Sequence, residues 1–111
     1  MDSALYLTPK EFNKWLEKNH LNIKEQYIGF YKKSTGKQIM TWSESVDEAL
    51  CYGWIDGLKK SIDGERYVIR FTPRKNIHNW SDININKMMN LIDENRMKIY
   101  GIYVFQPKKP N

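Results

Sequence analysis

The sequence predicts an α+β fold in which about three helices pack on one side of an antiparallel sheet made of two hairpins. Three observations support this prediction. Capping signals precede three amphipathic segments, an Asp-Gly pair separates two extended runs, and aromatic residues make up 14% of the chain. The 111 residues suffice for one domain and are too few for two ordinary ones. We therefore expect a single domain over residues 1–111, with residues 106–111 as a disordered tail.

The first helix is predicted to begin at Pro9. Thr8 is a favourable N-cap, proline suits the first helical position, and Glu11 stands where a capping box needs an acidic side chain. The helical pattern fades near Asn19. A stripe of three apolar side chains with helical spacing should pack on the sheet: Phe12, Trp15 and Leu16.

The segment after this helix predicts a first hairpin. Residues 26–33 alternate like a strand, residues 34–37 form a turn around Gly36, and residues 38–41 return as the partner strand. We interpret the lysines near the turn as solvating charges. They are Lys32, Lys33 and Lys37.

The second helix is predicted from two overlapping capping boxes, which leave its exact start open. These boxes are Thr41 with Glu44 and Ser45 with Glu48. The helix runs to about Tyr52, and Gly53 should end it in a left-handed conformation.

The third helix is predicted to follow a cap at Ser81 and Asp82, and Asn95 suits the left-handed position after its end. Residues 97–105 fit either a short helix leading to Gly101 or a closing strand over 102–105. The apolar line of the third helix is Ile85, Met88, Met89 and Ile92, with Leu91 beside it.

The second hairpin is predicted from Asp63-Gly64, because both central positions of a type I′ turn need positive φ. A two-residue loop sets the register, so that Asp56 faces Phe71, Gly57 faces Arg70 and Leu58 faces Ile69. One face of the hairpin would then carry Asp56 together with Leu58, Ile62, Tyr67, Ile69 and Phe71.

A carboxylate on an apolar face needs a partner, since an unpaired buried charge is costly. Asp56 would either cap a neighbouring backbone or pair with an arginine such as Arg74. The functional alternative is an acid that faces a ligand beside Trp54.

The charge balance favours an anionic partner. Lysine and arginine outnumber the acids 18 to 13, a formal charge of +5. Basic and aromatic residues alternate after the second hairpin, where residues 74–80 include Arg74, Lys75, His78 and Trp80. We predict a ligand-binding surface formed by Trp54, Arg70, Arg74 and Trp80, with Asp56 beneath it.

No motif for a known reaction is found. The chain has no Gly-rich phosphate loop, no CxxC pair and no His-Glu-x-x-His pattern, and we expect neither a metal nor a cofactor. Cys51 is the single cysteine and is predicted to be a small buried residue. Without a signal peptide or a span of about 20 apolar residues, we expect a cytoplasmic protein that does not enter a membrane.

Four sequence motifs resemble the bacterial family of bacteriocin-protection, YdeI/OmpD-associated proteins, over residues 8–101. They are VDEALCYGWIDG at 46–57, RFTPR at 70–74, Trp80-Ser81 followed by Asn84, and Arg96-Met97 with Gly101. The resemblance implies a YjbR/CyaY-like α+β domain and no assigned reaction. Members usually continue into a basic helical C-terminal segment, which this chain, ending at Asn111, lacks, and they tend to have glycine where Asn95 stands.

Three functional hypotheses follow. The leading one is a non-enzymatic binding module for an anionic partner, either a nucleic acid or a small acidic ligand. The second is an enzyme that uses Asp56 as a general base in a cleft roofed by Trp54 and Trp80. The third is a stress-related protein-interaction module, in which aromatic residues would join a homodimer.

Overall fold

The computed structural model describes residues 3–75 and 80–105, and within them it has the predicted α+β class. A three-stranded antiparallel sheet has the strand order β1-β3-β2. In chain order the elements are α1 (Pro9–Asn19), β1 (Gln26–Tyr31), a 3-10 turn (Lys33–Thr35), α2 (Trp42–Cys51), β2 (Trp54–Ser61), β3 (Arg66–Pro73), α3 (Asp82–Asp93) and α4 (Ile99–Val104). The predicted tail, residues 106–111, lies outside the described residues.

The core lies between the helices and one face of the sheet. Trp54 and Phe71 are 1% and 0% exposed, and the ring of Phe12 meets that of Phe71 edge to face at 5.2 Å between centroids. The other side chains that are at most 1% exposed in this cluster are Leu16, Ile28, Val46, Ala49, Leu50, Cys51, Met88 and Leu91.

The helix ends agree well with the capping signals. The side chain of Thr8 caps α1 and that of Thr41 caps α2, each within a complete capping box. Gly53 has φ +76° and Asn95 has φ 59°, the predicted left-handed positions. Residues 99–104 form a helix, the first of the two predicted alternatives for the C-terminal segment.

The second capping box predicted for α2, Ser45 with Glu48, does not form. The hydroxyl of Ser45 donates to the carbonyl of Trp42 at 2.6 Å, so Ser45 lies inside the helix. Glu48 bonds to Asn13 and Arg96 instead of to the backbone. A buried carboxylate within reach of a guanidinium gains more from that charged partner than from a cap.

The apolar line predicted for α3 is only half right. Met88 and Leu91 are buried, but Met89 is 50% exposed and Ile92 38%. The helix therefore turns a neighbouring stripe toward the core.

The first predicted hairpin does not form. β1 pairs with β3, and residues 38–41 are not a strand. The other edge of β1 is bonded to Leu5, whose N–H donates to the carbonyl of Tyr27 at 3.0 Å and whose carbonyl accepts from the N–H of Gly29 at 2.8 Å. With both edges of β1 paired, no edge remains for residues 38–41.

The second hairpin forms with a register that changes along its length. Asp56 faces Phe71 as predicted, but Lys59 instead of Leu58 faces Ile69, because a bulge lies between Asp56 and Lys59. The loop is also one residue longer than predicted, since the N–H of Ile62 donates to Arg66. Gly64 is not among the described glycines that have a positive φ, so the predicted type I′ turn does not form.

The bulge moves Leu58 off the apolar face. A shift of one residue turns a side chain to the opposite side of a strand, and Leu58 is 73% exposed. Inside the hairpin loop the carboxylate of Asp63 accepts from the N–H groups of Glu65 and Arg66 at 2.8 and 2.9 Å. This local turn competes with the two-residue loop and accounts for the extra residue.

Helix α4 packs closely against the end of α2. A Cβ at Gly101 would lie 2.5 Å from the carbonyl oxygen of Leu50 and 2.6 Å from that of Cys51. The N–H of Lys98 donates to the carbonyl of Cys51 at 3.0 Å, which holds the two helices in this position. Within the described residues, no helix is long and apolar enough to cross a membrane.

We predict that Gly101→Ala destabilises the protein although alanine is the better helix former. The added methyl has to push two backbone carbonyls aside, and such overpacking costs about 1–3 kcal/mol, more than the gain in helix propensity. The measurement is the midpoint of urea unfolding. Gly64→Ala is the control, because a Cβ there meets nothing within 4 Å and its stability should change little. Equal stability of Gly101→Ala and the wild type would contradict the close contact.

Candidate anion-binding site

A groove of about 620 Å³ lies on the sheet face that points away from the core. Alternation along β2 and β3 turns Ile55, Arg70 and Thr72 to the side opposite the buried Trp54 and Phe71. We call this cavity the basic groove. It is lined by Lys24, Glu25, Ile55, Arg70, Thr72, Pro73, Arg74 and Lys75.

The basic groove concentrates positive charge. Among residues 3–75 and 80–105, its lining holds four basic side chains and one acid, Glu25, a formal excess of three positive charges. This excess is more than half of the net charge of +5 that the whole chain carries. A concave surface with one dominant sign of charge raises the local concentration of counter-ions, so the groove is suited to anions.

Arg70 is held by an ion pair that an anion can replace. Its Nε and Nη2 atoms both lie 2.6 Å from Oε2 of Glu25. Both side chains are about half exposed, at 45% and 50%. Exposed ion pairs of this kind contribute little to the free energy of unfolding. The pair therefore orients the Arg70 guanidinium, and an anion can displace Glu25 with only a small loss of stability.

Arg74 is held more firmly at the other end of the groove. Its backbone N–H donates to the carbonyl of Gly53 at 2.8 Å, and its guanidinium lies over the ring of Trp80 at 3.9 Å from the centroid. Trp80 in turn meets Phe105 edge to face at 5.0 Å. Burial lowers the pKa of Arg74 from its ordinary value.

The structure brings together only part of the predicted surface. Arg70 and Arg74 line the same groove, and Trp80 contacts it through Arg74. Trp54 is in the core, where its indole N–H donates to the carbonyl of His20 at 3.3 Å. The side chain of Trp54 points into the core because its side of β2 faces α1, where its ring meets that of Trp15 at 5.7 Å between centroids.

Asp56 lies on the core side of the sheet, away from the basic groove. Its Oδ2 accepts a hydrogen bond from the indole N–H of Trp42 at 2.9 Å, a partner that differs from both predicted ones. A depression of about 210 Å³ adjoins it, with Lys59 and Tyr67 in the wall. The ammonium of Lys59 lies 4.4 Å from the ring centroid of Tyr67 and is not paired with Asp56.

Sequence reasoning missed Lys24, Glu25 and Ile55 as parts of the site. Lys24 and Glu25 come from the loop after α1, and their position beside Arg70 depends on the pairing of β1 with β3. Because that pairing was not predicted, no local signal pointed to them. His78, which we placed on the same surface, lies outside the described residues.

Within residues 3–75 and 80–105, no group of three histidine, cysteine or acidic side chains is placed to hold a metal ion. A family model with the description "Domain of unknown function (DUF8412)" matches residues 5–104, a range that contains every helix and strand named above. No curated protein and no solved structure matches the chain. The relation to the bacteriocin-protection family remains a prediction from the motifs.

Cys51 is enclosed by the core and by charged neighbours. The residue is 0% exposed, and its Sγ donates to the carbonyl of Asp47 at 3.2 Å. Burial, with the nearby carboxylate of Glu48 as a second cause, raises the pKa of Cys51 to about 12. A thiol in this state is a poor nucleophile at neutral pH.

We predict that a disulfide reagent labels Cys51 only after unfolding. At pH 8 a pKa of about 12 leaves on the order of one thiolate in 10⁴ molecules, and the side chain has no contact with solvent. The labelling rate of the folded protein should follow the unfolding equilibrium as urea is added. Protein in concentrated urea at the same pH is the control and should react at once. Fast labelling without urea would contradict the burial of this thiol.

Proposed function

The chain belongs to the DUF8412 family, a domain of unknown function, and we propose that it is a non-enzymatic binding module for an anionic partner. The observation that carries this proposal is the basic groove, in which four cationic side chains and one carboxylate surround a cavity of about 620 Å³. The partner is a nucleic acid or a small acidic ligand. The proposal also places the protein in the cytoplasm, as a relative of the bacteriocin-protection family.

The position of the charges favours a partner with several negative charges. Lys24 comes from the loop after α1, Arg70 from the middle of β3, and Arg74 and Lys75 from the segment after β3. The formal excess of three positive charges in the lining exceeds the charge of about −2 that a single phosphate group carries. A single-stranded nucleic acid is therefore our first choice, because its phosphates repeat along the chain.

The floor of the groove suits such a strand. Ile55 and Thr72 lie between the cationic side chains and present small, largely apolar surface. The guanidinium of Arg74 lies over the ring of Trp80, at 3.9 Å from the centroid, and this contact restrains the side chain at the wall of the groove. Preorganised charges lose little entropy on binding.

An enzyme that uses Asp56 as general base has less structural support. The carboxylate adjoins a depression only a third the volume of the basic groove, 210 against 620 Å³. Its hydrogen-bond partner is the indole N–H of Trp42. An indole N–H donates a hydrogen bond, but it does not act as a second acid or base near neutral pH. A protein-interaction module that dimerises through aromatic residues remains a third proposal, which sedimentation at high concentration would test.

We predict that Arg70→Gln weakens the binding of a fluorescent single-stranded oligonucleotide at least tenfold. The substitution removes one charged phosphate contact, worth roughly 1.5–3 kcal/mol. Affinities are measured by fluorescence anisotropy between 50 and 200 mM salt. For a single strand each phosphate contact contributes about 0.7 to the slope of log affinity against log salt, so the variant should have a slope that is shallower by about that amount.

Lys14→Gln is the matched control for this experiment. It removes the same charge from an exposed position on α1, outside the basic groove, and should leave both the affinity and the salt slope near wild type. If the two variants weaken binding equally, the attraction is a property of the net charge and the groove is not the site. If a multiply charged small acid competes with a shallow salt slope and the oligonucleotide does not bind, the acidic ligand is the partner.

A further inference from the structure

The sheet face that carries the basic groove also carries three partly exposed tyrosines. Alternation along β1 turns Tyr27 and Tyr31 away from the core, to the side opposite the buried Ile28 and Phe30. Tyr6 joins them on this face from the segment before α1. We call Tyr6, Tyr27 and Tyr31 the tyrosine row.

The ring of Tyr6 lies flat on the sheet at Gly29. A Cβ added to Gly29 would meet the ring carbons Cε1, Cζ and Cε2, the farthest of them at 2.8 Å. A point this close to three consecutive carbons of a ring lies above the plane of the ring and not beside its edge. One face of Tyr6 therefore covers Gly29, and the opposite face points away from the sheet.

The backbone holds Tyr6 in this position. The N–H of Leu5 donates to the carbonyl of Tyr27 at 3.0 Å, and the carbonyl of Leu5 accepts from the N–H of Gly29 at 2.8 Å. Because Leu5 packs against the core, alternation turns the next side chain, Tyr6, to the outer side. The ring of Tyr31 supports it at 5.4 Å between centroids. An aromatic face that is fixed in advance loses little entropy when a ligand stacks on it.

The tyrosine row adjoins the basic groove through one strand pair. Tyr27 on β1 is directly opposite Arg70 on β3, and Arg70 lines the groove. Opposite side chains of an antiparallel pair have Cβ atoms about 4.5–5.5 Å apart, so this ring and this guanidinium are neighbours. From Tyr27 the row continues along β1 past Tyr6 to Tyr31. A linear partner in the groove can therefore continue over the rings.

We propose that the tyrosine row stacks the bases of a single-stranded nucleic acid whose phosphates lie in the basic groove. The inference rests on the proposed function and adds a contact to the bases, which the cations of the groove do not supply. The formal excess of three positive charges favours a polyanion, and the outward face of Tyr6 favours a polyanion that carries flat aromatic groups. Since every base has such a face, binding should tolerate changes of sequence.

The probes are a short oligothymidylate and an abasic oligomer of the same length, both labelled for fluorescence anisotropy. They carry the same phosphates, and only the first has bases. The wild type should bind the oligothymidylate at least fivefold more tightly, the difference that about 1 kcal/mol from one stacked base produces. Equal affinities would overturn the tyrosine row and leave the basic groove standing. No binding of either oligomer would overturn both proposals.

Variants of Tyr6 test the ring directly, through the ratio of the two affinities. Tyr6→Leu keeps an apolar side chain over Gly29 and removes the aromatic face, so the preference for the oligothymidylate should fall at least fivefold. Tyr6→Phe keeps the ring and should restore the preference. A variant that is partly unfolded loses apparent affinity for both oligomers alike, so the ratio still reports on stacking. An unchanged ratio in Tyr6→Leu would exclude its ring as a stacking surface.

Three further variants complete the test. Tyr27→Ile, which suits a strand, should also reduce the ratio and replaces Tyr6→Leu if that variant does not fold. Tyr103→Leu is the matched control, because it removes a ring that is 78% exposed on α4, outside this face, and should leave the ratio at the wild-type value. Arg70→Gln should weaken the binding of both oligomers and preserve the ratio. This pattern separates a failure of the tyrosine row from a failure of the basic groove.

Discussion

The buried carboxylate of Glu48 is the interaction on which the arrangement of the helices depends. Glu48 lies on α2 and is 8% exposed. It accepts a hydrogen bond from the amide of Asn13 on α1 at 2.9 Å and another from the guanidinium of Arg96, which follows α3. Burying a carboxylate without hydrogen-bond donors costs free energy, so Glu48 favours the arrangement in which α1 and the segment after α3 both supply a donor. Tyr52 extends it by donating to Asn13 at 3.1 Å.

The position of α2 in turn decides where both cavities lie. Gly53 ends the helix in a left-handed conformation, and its carbonyl accepts from the N–H of Arg74. Arg74 is thereby placed at the boundary between the basic groove and a second cavity, of about 350 Å³, beside α4. On the other side, Gly101 lets α4 approach the last carbonyls of α2. One short junction thus connects the core to the basic groove.

Of the residues that line the basic groove, the sequence had named Arg70 and Arg74 as site residues. Arg70 and Arg74 were named correctly as neighbours, because both belong to one strand and its exit, and alternation along a strand is a local property. Trp54 was placed on the surface although it is buried, since apolar character does not say which side of the strand faces the helices. Lys24 could not be found, because it reaches the groove only through a long-range strand pairing.

By itself the sequence determined the α+β class, the starts of α1 and α3, the left-handed residues Gly53 and Asn95, and the base of the second hairpin. These features depend on neighbours a few residues apart, whose capping bonds and φ preferences act before any tertiary contact exists. Only the tertiary structure decided the partner of β1, the bulge in β2 and the position of Tyr6 over Gly29. In each case, groups that are distant in the chain compete for the same edge, face or donor. Which group wins depends on the free energy of the packed molecule as a whole.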